Sequence, residues 1–165
     1  MKKHILSIIV ENNAGVLARV SSLFGRRGYN IDSLTVSETN NPGTSNITLT
    51  VTGDERILEQ IIKQLDKLLE VISVKHLADI SALSRELLLI KIKIDAASRA
   101  ELREISQIYE ASIVDLTPRS MMIELTGTTQ KIDAFLLNLQ SYPIMEMCRT
   151  GVTALERDSA VKINC

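Results

Sequence analysis

Thr52-Gly53 is echoed by Thr126-Gly127, and at the same offset Leu58, Ile61, Ile62 and Leu65 fall on Ile132, Phe135, Leu136 and Leu139. Two helices that bury equivalent faces at equivalent places require an architecture that is built twice. Each half must then supply a sheet for its own helices to pack on.

In the first half, Ile5 to Val10 is a continuous apolar run of the kind a doubly covered strand shows. Gly15 opens a segment with Val16, Val20, Leu23 and Phe24 at helical spacing, and Gly28 stands where a left-handed glycine ends a helix. Asn30 to Ser37 is rich in strand formers, and Asn40-Asn41-Pro42-Gly43 reads as a turn. Ile47, Leu49 and Val51 alternate with Thr48, Thr50 and Thr52, which predicts a returning strand with one buried face. Gly53-Asp54 starts a helix carrying Leu58, Ile61, Ile62, Leu65, Leu68 and Leu69, and Val71 to Leu77 reads as a closing strand.

The second half repeats the order: Glu86 to Ile94 as strand, Ser98 to Tyr109 as helix, then Ser112 to Leu116 and Met121 to Thr126 as strands around Thr117-Pro118-Arg119, then a helix and a strand. The predicted fold class is α+β, two tandem ferredoxin-like βαββαβ domains over 1–78 and 79–165, with the boundary in Ala78 to Ser84. A half of this size buries only about 60% of its unfolded surface and exposes two sheet edges, which makes a homodimer the expected state. With no Trp, three Tyr and two Phe, the cores are aliphatic.

Charge and composition exclude several classes. The net charge of -1 gives no field to hold a polyanion, so nucleic acid is an unfavoured partner. No helix-turn-helix pattern precedes the first strand, which disfavours a transcription regulator. No apolar stretch approaches the ~20 residues of a membrane span, and the run after Met1-Lys2-Lys3 is too short for a signal segment. Two cysteines, Cys148 expected as a small core residue of a strand and Cys165 at the chain end, fit a reducing cytoplasm.

Catalytic patterns are equally sparse. His4 and His76 each lie in a strand pattern, read as strand-surface or interface positions, and neither has metal-ligand spacing. No nucleophile elbow or phosphate-binding glycine loop occurs. Gly25-Arg26-Arg27-Gly28 lies at a helix end, where the dipole repels anions, and reads as a cap. Glu101, Glu104 and Glu110 alternate with Arg99 and Arg103 as on a solvated helix face. A binding module accounts for this sequence better than an enzyme.

The stretch suited to binding is Glu11-Asn12-Asn13-Ala14-Gly15-Val16-Leu17, between the first strand and first helix. A helix start attracts a carboxylate, Gly15 permits close approach, and the amides of Asn12 and Asn13 can serve both ends of a zwitterion. Gly28-Tyr29-Asn30-Ile31 would bring another Asn near the loop of a neighbouring copy. The alternative is purely structural: Asn13 caps the helix, Gly15 makes a tight turn and Asn30 takes a left-handed conformation.

The run His4 to Asn12 through Gly15-Val16-Leu17, with Arg19-Val20, Leu23-Phe24 and Arg26-Arg27-Gly28-Tyr29-Asn30-Ile31-Asp32-Ser33-Leu34-Thr35-Val36, resembles the acetohydroxyacid synthase (acetolactate synthase) small-subunit family. The likeness continues through Gly53-Asp54-Glu55, Arg85-Glu86-Leu87, Asp115-Leu116-Thr117-Pro118, Leu125-Thr126-Gly127-Thr128 and Arg149-Thr150-Gly151. It implies an ACT domain followed by a second ferredoxin-like domain, without catalytic residues of its own. It also implies a catalytic partner subunit, which is activated and which carries thiamine diphosphate, Mg and FAD. Two ACT domains are expected to join edge to edge and bind valine, or a related branched-chain amino acid, between them. Asn12, Asn13, Ala14, Gly15, Val16 and Leu17 of one chain and Asn30 and Ile31 of the other would form that site. The loop Thr39 to Ser45 and the tail after Val152 depart from common members.

Overall fold

The computed structural model describes residues 2–77 and 82–157, which fall into two compact units. The first unit begins with β1 (Lys2–Glu11), α1 (Val16–Arg27), β2 (Ser33–Glu38), β3 (Thr44–Gly53), α2 (Glu55–Leu65) and β4 (Val71–Leu77). Its antiparallel sheet has the order β2-β3-β1-β4, so β1 is central, as its largely apolar run predicts. Leu6, Ile8 and Val10 of β1 and Ile47, Leu49 and Val51 of β3 share one face and bury against Val20 and Phe24 of α1 and Leu58, Ile61 and Leu65 of α2.

Local chemistry fixes the helix ends. Gly15 (φ 86°) and Gly28 (φ 70°) bracket α1 in the left-handed region, where glycine has no Cβ penalty. The N–H groups of Gly28 and Tyr29 close the helix end by donating to the carbonyls of Gly25 and Phe24. Asp54 caps α2 by accepting from the Ile57 N–H at 2.8 Å. The helix ends at Leu65, short of the expected Leu69. Lys67 and Leu68 donate to the carbonyls three residues back, which tightens the chain into a turn. Leu68 still packs on the core, whereas Leu69 is 95% exposed.

The second unit, Ser84–Gly151, takes most of β5 (Ala82–Lys93), then α3 (Ser98–Ile108), β6 (Ser112–Leu116), β7 (Ser120–Gly127), α4 (Thr129–Asn138) and β8 (Ile144–Arg149). Its strand order β6-β7-β5-β8 reproduces that of the first unit. The repeated glycine of the Thr-Gly pair has a steric reason. A Cβ on Gly53 would stand 3.0 Å from Ile57 Cγ2, and one on Gly127 would stand 2.9 Å from Lys131 Cδ. At both places the first helical turn closes over the end of the preceding strand. Thr128 caps α4 through the Lys131 N–H. The two sheets and their helices are the tandem ferredoxin-like arrangement the sequence predicts.

Glu86 is 5% exposed and would be an uncompensated charge without partners. Arg149 Nε donates to it at 2.5 Å and Arg149 Nη1 donates to Asp133 at 2.7 Å, while the Thr129 hydroxyl also donates to Glu86. Burial alone would lower the Arg149 pKa, but the bonds to Glu86 and then Asp133 outweigh it and leave it raised.

Several expectations change. The segment 79–165 was expected to form one domain, yet β9 (Thr153–Glu156) belongs to the first unit. Val152 and Ala154 cluster with Leu77, with Ile5 and Ala82 packed against them. The Val152 N–H donates to Ser33 Oγ at 3.3 Å, and Ser33 Oγ lies 2.6 Å from Thr50 Oγ1. Thr48 and Thr50 are 2% and 1% exposed, so β3 is buried on both faces rather than one. Cys148, expected inside, is exposed, because it lies on the edge strand β8 across from Leu89 on the face away from the core residues Leu88 and Ile90. His4, expected at the surface, is 2% exposed, since its place on β1 alternates in phase with Leu6 and Ile8. Of the expected boundary Ala78 to Ser84, residues 78–81 lie outside the described residues, as does Cys165.

Candidate ligand-binding loop

The loop after β1 is held to the β2–β3 hairpin. The Asn12 N–H donates to the Gly43 carbonyl at 2.9 Å, its side-chain Nδ2 donates to the Pro42 carbonyl at 3.0 Å, and its Oδ1 accepts from Ser45 Oγ at 3.0 Å. Asn12 is thus a strut between two turns. Asn13 Nδ2 donates to Glu11 Oε2 at 2.9 Å, and the Asn13 carbonyl accepts from the Val16 N–H at 3.3 Å. The side chain of Asn13 does not cap α1; Gly15 occupies the cap position without a side chain to offer.

Around Gly15 the space is open: a Cβ placed there would meet no atom within 4 Å. Asn13, Ala14 and Gly15 are exposed, and Leu17 is 41% exposed. Val16 is 3% exposed and turned into the core, so its side chain anchors the loop. Behind the loop, the Glu11 N–H donates to the Glu70 carbonyl, and the Glu70 carboxylate pairs with Arg19.

Asn30 sits elsewhere. Its Nδ2 donates to Asp32 Oδ1 at 3.1 Å, the Asp32 N–H donates to the Thr50 carbonyl at 2.9 Å, and Asp32 Oδ2 accepts from Thr52 Oγ1 at 2.7 Å. Asn30 is not left-handed: Glu110 is the one non-glycine residue with positive φ among those described. Ile31 packs against the first core. Register separates the two segments, because Glu11 pairs with Thr44 at one end of β3 and Ser33 pairs with Thr50 at the other. Six residues of strand put them roughly 20 Å apart within one chain.

Sequence reasoning found the loop but missed the residues that hold it. Pro42, Ser45 and Glu70 lie 30 or more positions from their partners, so no local pattern connects them. Among the described residues no group of three or more His, Cys, Asp or Glu converges as for a metal, and no helix is long and apolar enough to cross a membrane.

Comparison with known proteins decides the family. Over 157 residues the chain is 45% identical to the probable acetolactate synthase small subunit of Methanothermobacter thermautotrophicus, covering 94% of each. The chain belongs to the acetolactate synthase small-subunit family. Residues 6–73 match the model of the AHAS small subunit-like ACT domain, and residues 85–158 match that of the small subunit of acetolactate synthase. The acetolactate synthase isozyme 3 small subunit of Escherichia coli is 41% identical, with 96% of this chain and 98% of the relative covered. The crystal structure of the acetolactate synthase small subunit from Thermotoga maritima superposes with a TM-score of 0.91 at 36% identity, covering 96% of this chain and 99% of that one. Membership of a small-subunit family implies a larger partner subunit.

Proposed function

We propose that this acetolactate synthase small subunit binds and activates the catalytic subunit, and that it confers feedback inhibition by valine held between the ACT domains of two copies. The observation that carries the valine site is the separation of its two halves. Asn12–Leu17 and Asn30–Ile31 stand at opposite ends of one sheet, so no single chain brings them together. Strand β2 forms an edge of that sheet. Antiparallel pairing of β2 with the β2 of a second copy sets the Ser33 end of one against the Glu38 end of the other. Asn30 of one copy then approaches the loop of its partner that Asn12 ties to Pro42 and Ser45.

The chemistry suits an amino acid. The N-terminal end of α1 and the open space at Gly15 favour a carboxylate, Asn30 and Asn13 offer amide oxygens to an ammonium, and Leu17 offers apolar surface to a branched side chain. Charge-assisted bonds and a buried valine side chain contribute about 1.5 to 3 kcal/mol each, which after association costs supports affinities between about 1 mM and 1 μM. On this reading thiamine diphosphate, Mg and FAD reside in the catalytic subunit, and this chain turns over no pyruvate. The deciding experiment is calorimetric titration of valine, leucine and isoleucine into the chain, with its mass in solution measured alongside. A dimer binding one of the three saturably is expected, and a monomer that binds valine equally well defeats the interface site.

A further inference from the structure

The two histidines of this chain, 72 positions apart, meet: His4 Nδ1 lies 3.2 Å from His76 Nε2, with ring centroids 5.2 Å apart and planes inclined by 60°. Register brings them together, since His76 pairs with Leu6 and so stands diagonal to His4 on the same face. The duplicated fold shows what this position ordinarily holds. Ile5 pairs with Leu77 as Leu89 pairs with Cys148, which makes Leu88 the counterpart of His4 and Met147 that of His76. Leu88 is fully buried. The first unit therefore carries a buried imidazole, with Nε2 unpartnered, at a site where the same fold packs a leucine.

We propose that His4 and His76 form a two-imidazole site for a divalent transition-metal ion, Zn2+, Ni2+ or Cu2+. Metal–nitrogen bonds of about 2.05 Å spanning this separation subtend an angle of about 103° at the metal, within the range of tetrahedral coordination. That angle excludes linear two-coordinate binding, which needs nitrogens about 4 Å apart. Imidazoles converging on one ion at this angle have centroids roughly 5 Å apart, in keeping with the 5.2 Å observed. In the complex each ring ligates as a neutral imidazole, with its proton on the nitrogen away from the metal, Nε2 of His4 and Nδ1 of His76. The chain's described residues offer no third His, Cys, Asp or Glu to the cluster, and water completes the coordination. The pair escapes sequence reading because its members share no local motif.

The test is calorimetric titration of ZnCl2 and NiCl2 into the full chain, free of any affinity tag and stripped with EDTA, at neutral pH. One ion per chain is expected, with affinity at least tenfold weaker in H76M and in H4L, the residues the second unit carries at these places. His76 is exposed, so H76M retains the fold and keeps the test valid if H4L does not. A melting temperature raised by Zn2+ in the parent chain and unmoved in H76M is the second expected result. Equal affinity in the parent chain and H76M, or no saturable binding by the parent chain, overturns the proposal.

Discussion

Ser45 Oγ donates to Asn12 Oδ1 at 3.0 Å, across a gap of 33 positions in sequence. Through that bond, and through Pro42, the loop proposed to receive valine is fixed to the hairpin that follows β2. Asn12→Ala removes both side-chain bonds and leaves the Ser45 hydroxyl, 7% exposed, without its acceptor. A loss of about 1 to 2 kcal/mol is expected in urea denaturation, together with weaker valine binding. Unaltered binding would mean that the strut does not shape the site.

Gly15→Asp tests the site directly. The residue has φ 86° and faces open space, so the new carboxylate stands where the ligand carboxylate is proposed to dock. In the holoenzyme reconstituted with the catalytic subunit, valine inhibition should disappear while activation persists. Normal inhibition by valine would place the site elsewhere.

The Glu86–Arg149 pair predicts an asymmetry between single and double variants. Arg149→Ala strands a carboxylate that is 5% exposed and should cost about 3 to 5 kcal/mol. Replacing both partners, Glu86→Leu with Arg149→Met, should cost distinctly less. Denaturation of the three proteins measures the difference, and equal losses would show that packing rather than charge governs the corner.

At the start of α3, Asp95 Oδ1 accepts from the Ser98 N–H and the Ser98 hydroxyl at 2.8 Å each and from the Ala97 N–H at 3.1 Å. The Ser98 backbone bond, then its hydroxyl, holds the Asp95 carboxyl below the usual aspartate range. A depressed folded-state pKa contributes stability above the unfolded value, and that contribution is lost as pH falls through the folded value. Asp95→Ala should therefore lower the denaturation midpoint near neutral pH, with the gap from the parent chain closing in strong acid. A gap that widens on acidification contradicts the assignment.

The alternation of apolar residues made most of the fold legible. Leu6, Ile8 and Val10 mark a strand, the spacing of Val16, Val20, Leu23 and Phe24 a helix, and Gly28 its end, because each depends on neighbours in sequence. The cover over Ile5 and Ser33 was not legible, since it comes from the segment of Val152 and Ala154, more than a hundred positions away. For the same reason Asn12 and Asn13 read as free amides, although Pro42, Ser45 and Glu11 engage them. Periodicity gave the loop its position; only tertiary contacts reveal which of its groups are already committed.

The return of β9 to the first unit bears on the order in which the protein is made. Ile5 and Ser33 leave the ribosome early, but Val152 and Ala154, which pack on them, follow the 68 residues of Ser84–Gly151. At about 5 to 20 residues per second that interval lasts roughly 3 to 14 s. During it the nascent first sheet lacks its β9 cover, and synthesis of that strand is what allows the ACT unit to close.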